Sequence, residues 1–286
     1  MDRLLRNTAA TLSVTFYSDE AATDADGAVT VTIVADDGTT IATNAATSAG
    51  TAGDGKYTYT LAPQANLNLL TLTWTGTFSG VSQSLVTRAE VVGARLFTYA
   101  EARASDTMLA NATKYPTAVL ERIRTEVEDE FQSIAARSFI PRYGRTRRLG
   151  HGSDVLRLDH ADLTSLRAVS VDGVAFTNDE LTACKLDDWG LLYHPSGVWT
   201  EGAVIIAQYE YGLPYVTTDL SDAAMKRARS RITDNNTGIS DRATTFDTAE
   251  GGTYQLAVAG RAGWETGIPD VDAVVKRYSL KGPGVY

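Results

Sequence analysis

Near Gly93 the spacing of apolar residues changes from every second position to every third and fourth. A chain with such a break has to build two kinds of structure, because a period of two belongs to strands and a period near 3.6 to helices. Before the break, Thr11-Leu12-Ser13-Val14-Thr15-Phe16-Tyr17 alternates apolar with polar, and Val29, Val31 and Ile33 do the same between the turn signals Asp26-Gly27 and Asp37-Gly38. Further strands are expected over 56–61, 69–78 and 82–92, with Leu70, Leu72, Trp74 and Gly76 sharing one face. Past the break, Thr98 and Glu101 form a capping-box pair that opens a short helix to about residue 108. Pro116 then stands where a first helical turn accepts it. Val119, Leu120, Ile123, Val127, Phe131, Ile134 and Ala135 follow at helical spacing, with Glu121, Arg122, Arg124, Glu128 and Asp129 read as the opposite face. Pro141 is the latest point at which that helix can end.

A β-meander is expected next. Val155, Leu156 and Leu158 lead to Leu166-Arg167-Ala168-Val169-Ser170-Val171, then a turn at Asp172-Gly173, a strand over 181–186, a turn at Asp188-Trp189-Gly190 and Leu191-Leu192-Tyr193. The β-rich stretch 203–211 closes it, stopped by Gly212 and Pro214. Asp219 caps a third helix running from Leu220 to about Ile232, with Lys226, Arg227, Arg229 and Arg231 on its outer side. Residues 234–263 are polar and Gly-rich, with one short β-like run at 254–258, and read as a long loop. A short helix over 271–278 precedes the tail Lys281-Gly282-Pro283-Gly284-Val285-Tyr286.

The fold class expected from these elements is α+β. Short strands punctuated by Gly and Asp fit an N-terminal immunoglobulin-like β-sandwich over 1–92, although no inter-sheet cysteine pair is present. A domain of helices with an inserted antiparallel β-meander is expected over 93–233. The polar loop, short helix and extended C-terminal tail occupy 234–286.

At 286 residues, 43% of them hydrophobic and 21% charged, the chain can bury real cores. A net charge of −9 argues against a general nucleic-acid binder, yet suits a wall that lets DNA pass without sticking. One cysteine, Cys184, excludes an intramolecular disulfide. No apolar run approaches the ~20 residues of a spanning helix, and the N-terminus lacks a secretory apolar core. A soluble protein made in a cytoplasm is the expectation.

Chemistry-bearing patterns are sparse. His151, His160 and His194 share no metal-ligand spacing with one another or with Cys184, and no nucleophile elbow, phosphate loop or dinucleotide fingerprint occurs. Asp36-Asp37 and Asp187-Asp188 sit in turns, and residues 126–130 read as a solvated helix face. Cys184, in a strand between apolar neighbours, reads as an inert thiol. No enzymatic activity, no metal and no cofactor is expected.

Three segments point to partners instead. Arg142, Tyr143, Arg145, Arg147 and Arg148 form a basic, aromatic loop that would face DNA phosphates or an acidic neighbour, or stand as a plain solvated loop. The polar segment 234–263 has too little apolar content to fold alone. The C-terminal residues Val274, Val275, Lys276, Arg277, Tyr278, Leu280, Lys281, Pro283, Val285 and Tyr286 read as a docking arm, because their apolar groups have little core to join.

From about Leu96 to Gly212 the chain resembles the head-to-tail connector (adaptor) family of long-tailed double-stranded-DNA bacteriophages. The resemblance lies in two helices, the second long and amphipathic, followed by Leu166–Gly173, Cys184–Tyr193 and Trp199–Gly212, with the helix at Leu220 continuing it. Residues 269–278 resemble the ends of such proteins in phages of actinobacteria. The resemblance covers about two thirds of the chain. It implies a virion structural protein, assembled in the host cytoplasm as a ring, commonly dodecameric, on the phage portal protein. Stopper or other neck and tail proteins would lie beyond it, and double-stranded DNA would pass through the lumen without sequence-specific contact. C-terminal arms often contact the portal in that family. The sandwich is an addition to the compact family pattern. Other readings are another neck, tail or baseplate protein, or a surface- or carbohydrate-binding module using Tyr57, Tyr59 and Trp74, although strand alternation favours core packing for these rings.

Overall fold

The computed structural model describes residues 1–234 and 265–280, together with the backbone of two short strands between them. In chain order the first strands are β1 (Asp2–Leu5), β2 (Ala10–Thr15), β3 (Tyr17–Ser18), β4 (Ala21–Ala22), β5 (Thr30–Ala35), β6 (Thr40–Ala46), β7 (Ser48–Ala49), β8 (Lys56–Leu61), β9 (Asn68–Phe78) and β10 (Val81–Val92). Helices α1 (Tyr99–Ser105) and α2 (Thr117–Ala135) follow, then β11 (Arg142–Leu149), β12 (Val155–Arg157), β13 (Leu163–Val171) and β14 (Val174–Ala175). Next come α3 (Asn178–Ala183), β15 (Lys185–Leu186), β16 (Leu191–Tyr193), β17 (Val204–Tyr211) and α4 (Thr218–Asp234). The strands β18 (Thr245–Asp247) and β19 (Thr253–Gln255) and the helix α5 (Pro269–Tyr278) complete the described chain. The fold is mixed α+β and rich in strands. Two compact units share it: residues 1–94 with 141–212, and residues 95–140 with 213–286.

The first unit begins as a two-sheet sandwich. Its larger sheet has the order β1-β10-β9-β5-β6, and its smaller one β2-β8-β7. Alternation explains the packing. Leu70, Leu72 and Trp74 of β9 and Val31 and Ile33 of β5 face Leu12 and Val14 of β2 and Tyr57 and Leu61 of β8, all of them buried in one core. The Trp74 indole N–H donates to Thr87 Oγ1 at 2.9 Å, so the ring is buried with its one polar atom satisfied. Tyr57 is buried beside it in the same core and Tyr59 packs on its margin.

The same unit contains the meander. Its main sheet runs β11-β17-β13-β14, and a smaller one runs β12-β16-β15. Ile205, Ala207, Tyr209 and Tyr211 point from β17 into a core with Leu156, Leu192 and Trp199. One expected strand is corrected here. Residues 181–183 belong to α3, because Thr177 and Glu180 close a reciprocal capping box that starts a helix. Cys184 is accordingly a helix C-cap rather than a strand residue, half-buried, with its thiol pKa raised by burial.

Sandwich and meander are joined by polar contacts. Arg142 of β11 makes a bidentate pair with Glu90 of β10, at 2.6 and 2.7 Å, and Arg3 of β1 lies 3.5 Å from the same carboxylate. Nearby, Arg167 of β13 donates to the Leu67 carbonyl and sits 3.6 Å from Asp37. The Gly93 N–H donates to the Pro141 carbonyl at 2.9 Å, closing the point where the chain departs and returns.

The second unit is helical. Leu120, Ile123, Val127, Phe131 and Ala135 form the buried stripe of α2, as their spacing requires. Arg124 and Glu128, expected on the outer face, are buried as well. They lie four residues after Leu120 and four before Phe131's neighbour Gln132, on the angular sector of the apolar stripe. Both find partners on the segment that leads into α1: Arg124 donates to the Phe97 carbonyl and to Tyr99 Oη, and Glu128 accepts the Leu96 N–H. Helix α4 packs on α2 with Leu220, Ala224 and Ala228 buried. Arg227, also expected on an outer side, instead makes a bidentate pair with Glu130 of α2 at 2.8 Å. The Ser138 carbonyl accepts the Leu213 N–H at 3.1 Å, tying the return of the chain to its exit.

Candidate functional site

The basic segment 142–148 is a strand rather than a loop. It forms β11, antiparallel to β17, from Arg142 opposite Tyr211 to Leu149 opposite Val204. Strand alternation then distributes its charges between two faces. Arg142 is committed to Glu90, in an ion pair whose two side chains are 11% and 5% exposed. Arg148 pairs with Asp159. Tyr143 is buried, its hydroxyl pKa raised by burial and by the Asp36 and Asp37 carboxylates, with the Arg167 guanidinium 5.5 Å from its ring centre. Arg145 and Arg147 share one face and are exposed; Arg145 comes within 4.0 Å of Asp36. The basic run therefore presents two outward guanidiniums and two committed ones.

Behind β11 runs a chain of polar groups. His160 Nδ1 lies 2.8 Å from Tyr209 Oη, which is 2.8 Å from Thr146 Oγ1, which donates to Asp159 at 2.7 Å. Because a carboxylate only accepts, each proton in this chain has one direction: His160 donates to Tyr209, and Tyr209 to Thr146. The His160 ring also stacks on Tyr211, with centroids 3.8 Å apart. Burial lowers its pKa, Arg142 adds to that effect, and Asp159 and Glu90 oppose it. Burial likewise pushes the Tyr211 hydroxyl up to about 12. Gly144 makes this arrangement possible, since a Cβ there would stand 2.5 Å from the Tyr209 ring.

The expected docking arm has two parts. In α5, Val275 is fully buried together with Val271, while Val274 is half-buried and Lys276 and Arg277 are exposed. Tyr278 and Leu280, expected to lack a core, are held by their own unit. The Tyr278 ring meets Phe139 edge to face at 6.3 Å, and its carbonyl accepts from Arg137. Its hydroxyl reaches both oxygens of Asp219, at 3.0 and 3.1 Å. Leu280 N–H donates to the Ala135 carbonyl at the end of α2. The Asp219 carboxyl pKa is lowered by the Thr217 hydroxyl, then by Tyr278, the Leu220 N–H and Arg277. Lys281, Pro283, Val285 and Tyr286 lie outside the described residues, as does most of the polar segment 234–263.

Groups that would carry chemistry are dispersed. Among the described residues no three His, Cys, Asp or Glu side chains gather as metal ligands. His151 is exposed and His194 packs on Trp199 and Phe176. A cleft of about 300 Å³ in the sandwich is lined mainly by small residues, among them Gly27, Ala49, Gly50 and Thr51. Its carboxylate, Asp24, is occupied by the Gly53 and Gly55 N–H groups. No helix among the described residues is long and apolar enough to cross a membrane.

No family model matches the chain, and no curated protein matches it. Among solved structures, a chain from the neck of an empty GTA particle, computed with C6 symmetry, is similar in part. It is 15% identical, the match covers 58% of this chain and 82% of that one, and the TM-score is 0.37.

Proposed function

We propose that this chain is a structural protein of the neck of a phage-like particle, a head-to-tail connector that forms a ring beneath the portal and surrounds the path of the genome. The observation that carries the reading is the way the helical unit is interrupted. Helices α2 and α4 pack together although residues 141–212, a complete β-meander, lie between them in sequence. A helical core with an inserted meander is what the sequence resemblance to connectors implies. Two further features support it. The net charge of −9 suits a wall that repels phosphate, and the outward guanidiniums of Arg145 and Arg147 offer a limited basic surface to a neighbour. The role is non-catalytic, and the immunoglobulin-like reading of the sandwich rests on its two facing sheets with β1 running parallel to β10.

Co-expression with the portal protein of the same genome, followed by native mass spectrometry, tests this directly. A defined ring with both proteins in near-equal copies is expected, with dodecameric stoichiometry. Two proteins that stay apart in gentle salt would overturn the portal-proximal role. The docking arm needs its own variant. Removal after Asp270 would strip Val271 and Val275 from the core, so the informative truncation ends at Leu280 and is expected to abolish portal docking with the melting temperature unchanged.

A further inference from the structure

The two sheets of the sandwich are unequal, five strands against three, and the shortfall has a location. Strands β7 and β8 lie on the side of β5 and β6, because Ala49 and Tyr57 line one cleft with Val29 and Thr47. The remaining strand, β2, therefore lies toward β9 and β10. Phe16, at its end, packs on Phe78 at 4.7 Å, and Phe78 is the cross-strand partner of Val81. Among the described residues β2 pairs with β8 alone, so its other edge is open.

The face of β10 above that open edge is uncovered. Ala89 and Val91, beside β1, are each 1% exposed, yet Leu85 and Val81 on the same inward face are 40% and 61% exposed. Val81 and Leu85 thus extend the core-facing side of the sheet beyond the part that the smaller sheet covers. Neither the β2 edge, Ala10–Thr15, nor residues 81–87 carries a charge or a proline, the devices that normally block strand addition. β6, Thr40–Ala46, the free strand at the opposite end of the larger sheet, likewise carries no charge or proline, and the two register shifts in its pairing with β5 are the one irregularity along it. In a chain of net charge −9, these uncharged edges are where two copies can approach without repulsion.

We infer that a second copy of this chain completes the smaller sheet: β6 of one copy adds alongside β2 of the next and covers Val81 and Leu85. The pairing joins different surfaces of identical chains, so it is head-to-tail and closes into a ring when the rotation permits. It gives the sandwich, which the connector reading leaves without a task, the role of linking neighbours. The inference rests on that reading only for ring closure.

The test uses the full chain, alone and co-expressed with its portal, with Cys184→Ser as background so that no native thiol remains. Chains carrying Ser13→Cys in β2 are mixed with chains carrying Thr43→Cys in β6. A disulfide linking the two kinds of chain is expected, and the Val81→Lys/Leu85→Lys pair should abolish both the cross-link and concentration-dependent sedimentation with an unchanged melting temperature. Cross-links between Ser13→Cys chains alone would place two β2 edges together and overturn β6 as the occupant. A portal-bound ring without any such cross-link would sink the edge pairing and leave the connector role standing. If the lysine variant also loses its fold, Leu85→Thr, which keeps strand propensity, repeats the sedimentation test.

Discussion

Replacing Glu90 by alanine isolates the largest single energetic dependence visible in the first unit. Glu90 is buried, its side chain 5% exposed; its carboxylate takes two hydrogen bonds from Arg142 and lies 3.5 Å from Arg3, whose side chain is 2% exposed. Its removal leaves two guanidiniums facing each other in a site with little water. Deleting one partner of a buried pair costs about 3–5 kcal/mol, most of it the penalty on the charges left behind. For a unit of this size, about 2–4 °C of melting temperature is lost per kcal/mol, which gives a fall of about 6–20 °C. Thermal unfolding of Glu90→Ala, Arg142→Met and the double variant measures it. The double variant should recover part of the loss, because it removes one of the stranded charges, and the coupling energy should exceed ~1 kcal/mol. A Glu90→Ala variant within ~1 kcal/mol of the parent, or strictly additive effects, would refute the claim that this carboxylate joins sandwich to meander.

Acidification probes His160. Its folded pKa lies below the ordinary value of ~6.5, so the unfolded chain takes up the proton first. Stability is complete above that ordinary value and declines as the pH falls from it through the depressed one, and His160→Phe should flatten the slope in a pH series of melting curves. Tyr278→Phe removes the hydroxyl donated to Asp219 and is expected to cost about 1–2 kcal/mol, with faster amide exchange in α5. Gly144→Ala drives a methyl into the Tyr209 ring and should cost about 1–3 kcal/mol by thermal melt. An unshifted melt in either variant would remove the corresponding contact from the account.

Local periodicity made most elements legible. Five strands of the sandwich (β2, β5, β8, β9 and β10) and the helices α2 and α5 follow from apolar spacing and turn signals, whereas β1, β3, β4, β6 and β7 carry too short or too weak an alternation to be read. What escaped was hidden by charge or by distance along the chain. Four arginines obscured the strand character of β11, and carboxylate and guanidinium groups drew Arg124 and Glu128 onto the wrong face of α2, although their angular position was the truer signal. Helix α3 carries at Thr177 and Glu180 the same capping pair that opens α1 at Thr98 and Glu101. The partnership of Glu90 with Arg142 spans 52 residues, and no local pattern encodes it. The candidate docking arm was legible as a helix, but the anchoring of Tyr278 by Asp219, 59 residues earlier, was not.

The division of the first unit into two stretches of sequence also sets an order in time. The sandwich core draws only on residues from Leu4 to Val91, so it can close as soon as that length has left the ribosome. Arg3 and Glu90 then meet without Arg142, and the edge of the young domain waits for the rest of its unit. At ~5–20 residues per second the wait until Gly212 is on the order of ten seconds, during which the helices α1 and α2 are made first. The nascent domain thus carries a half-built ionic joint, and a chaperone or a neighbouring nascent chain has that interval in which to reach it.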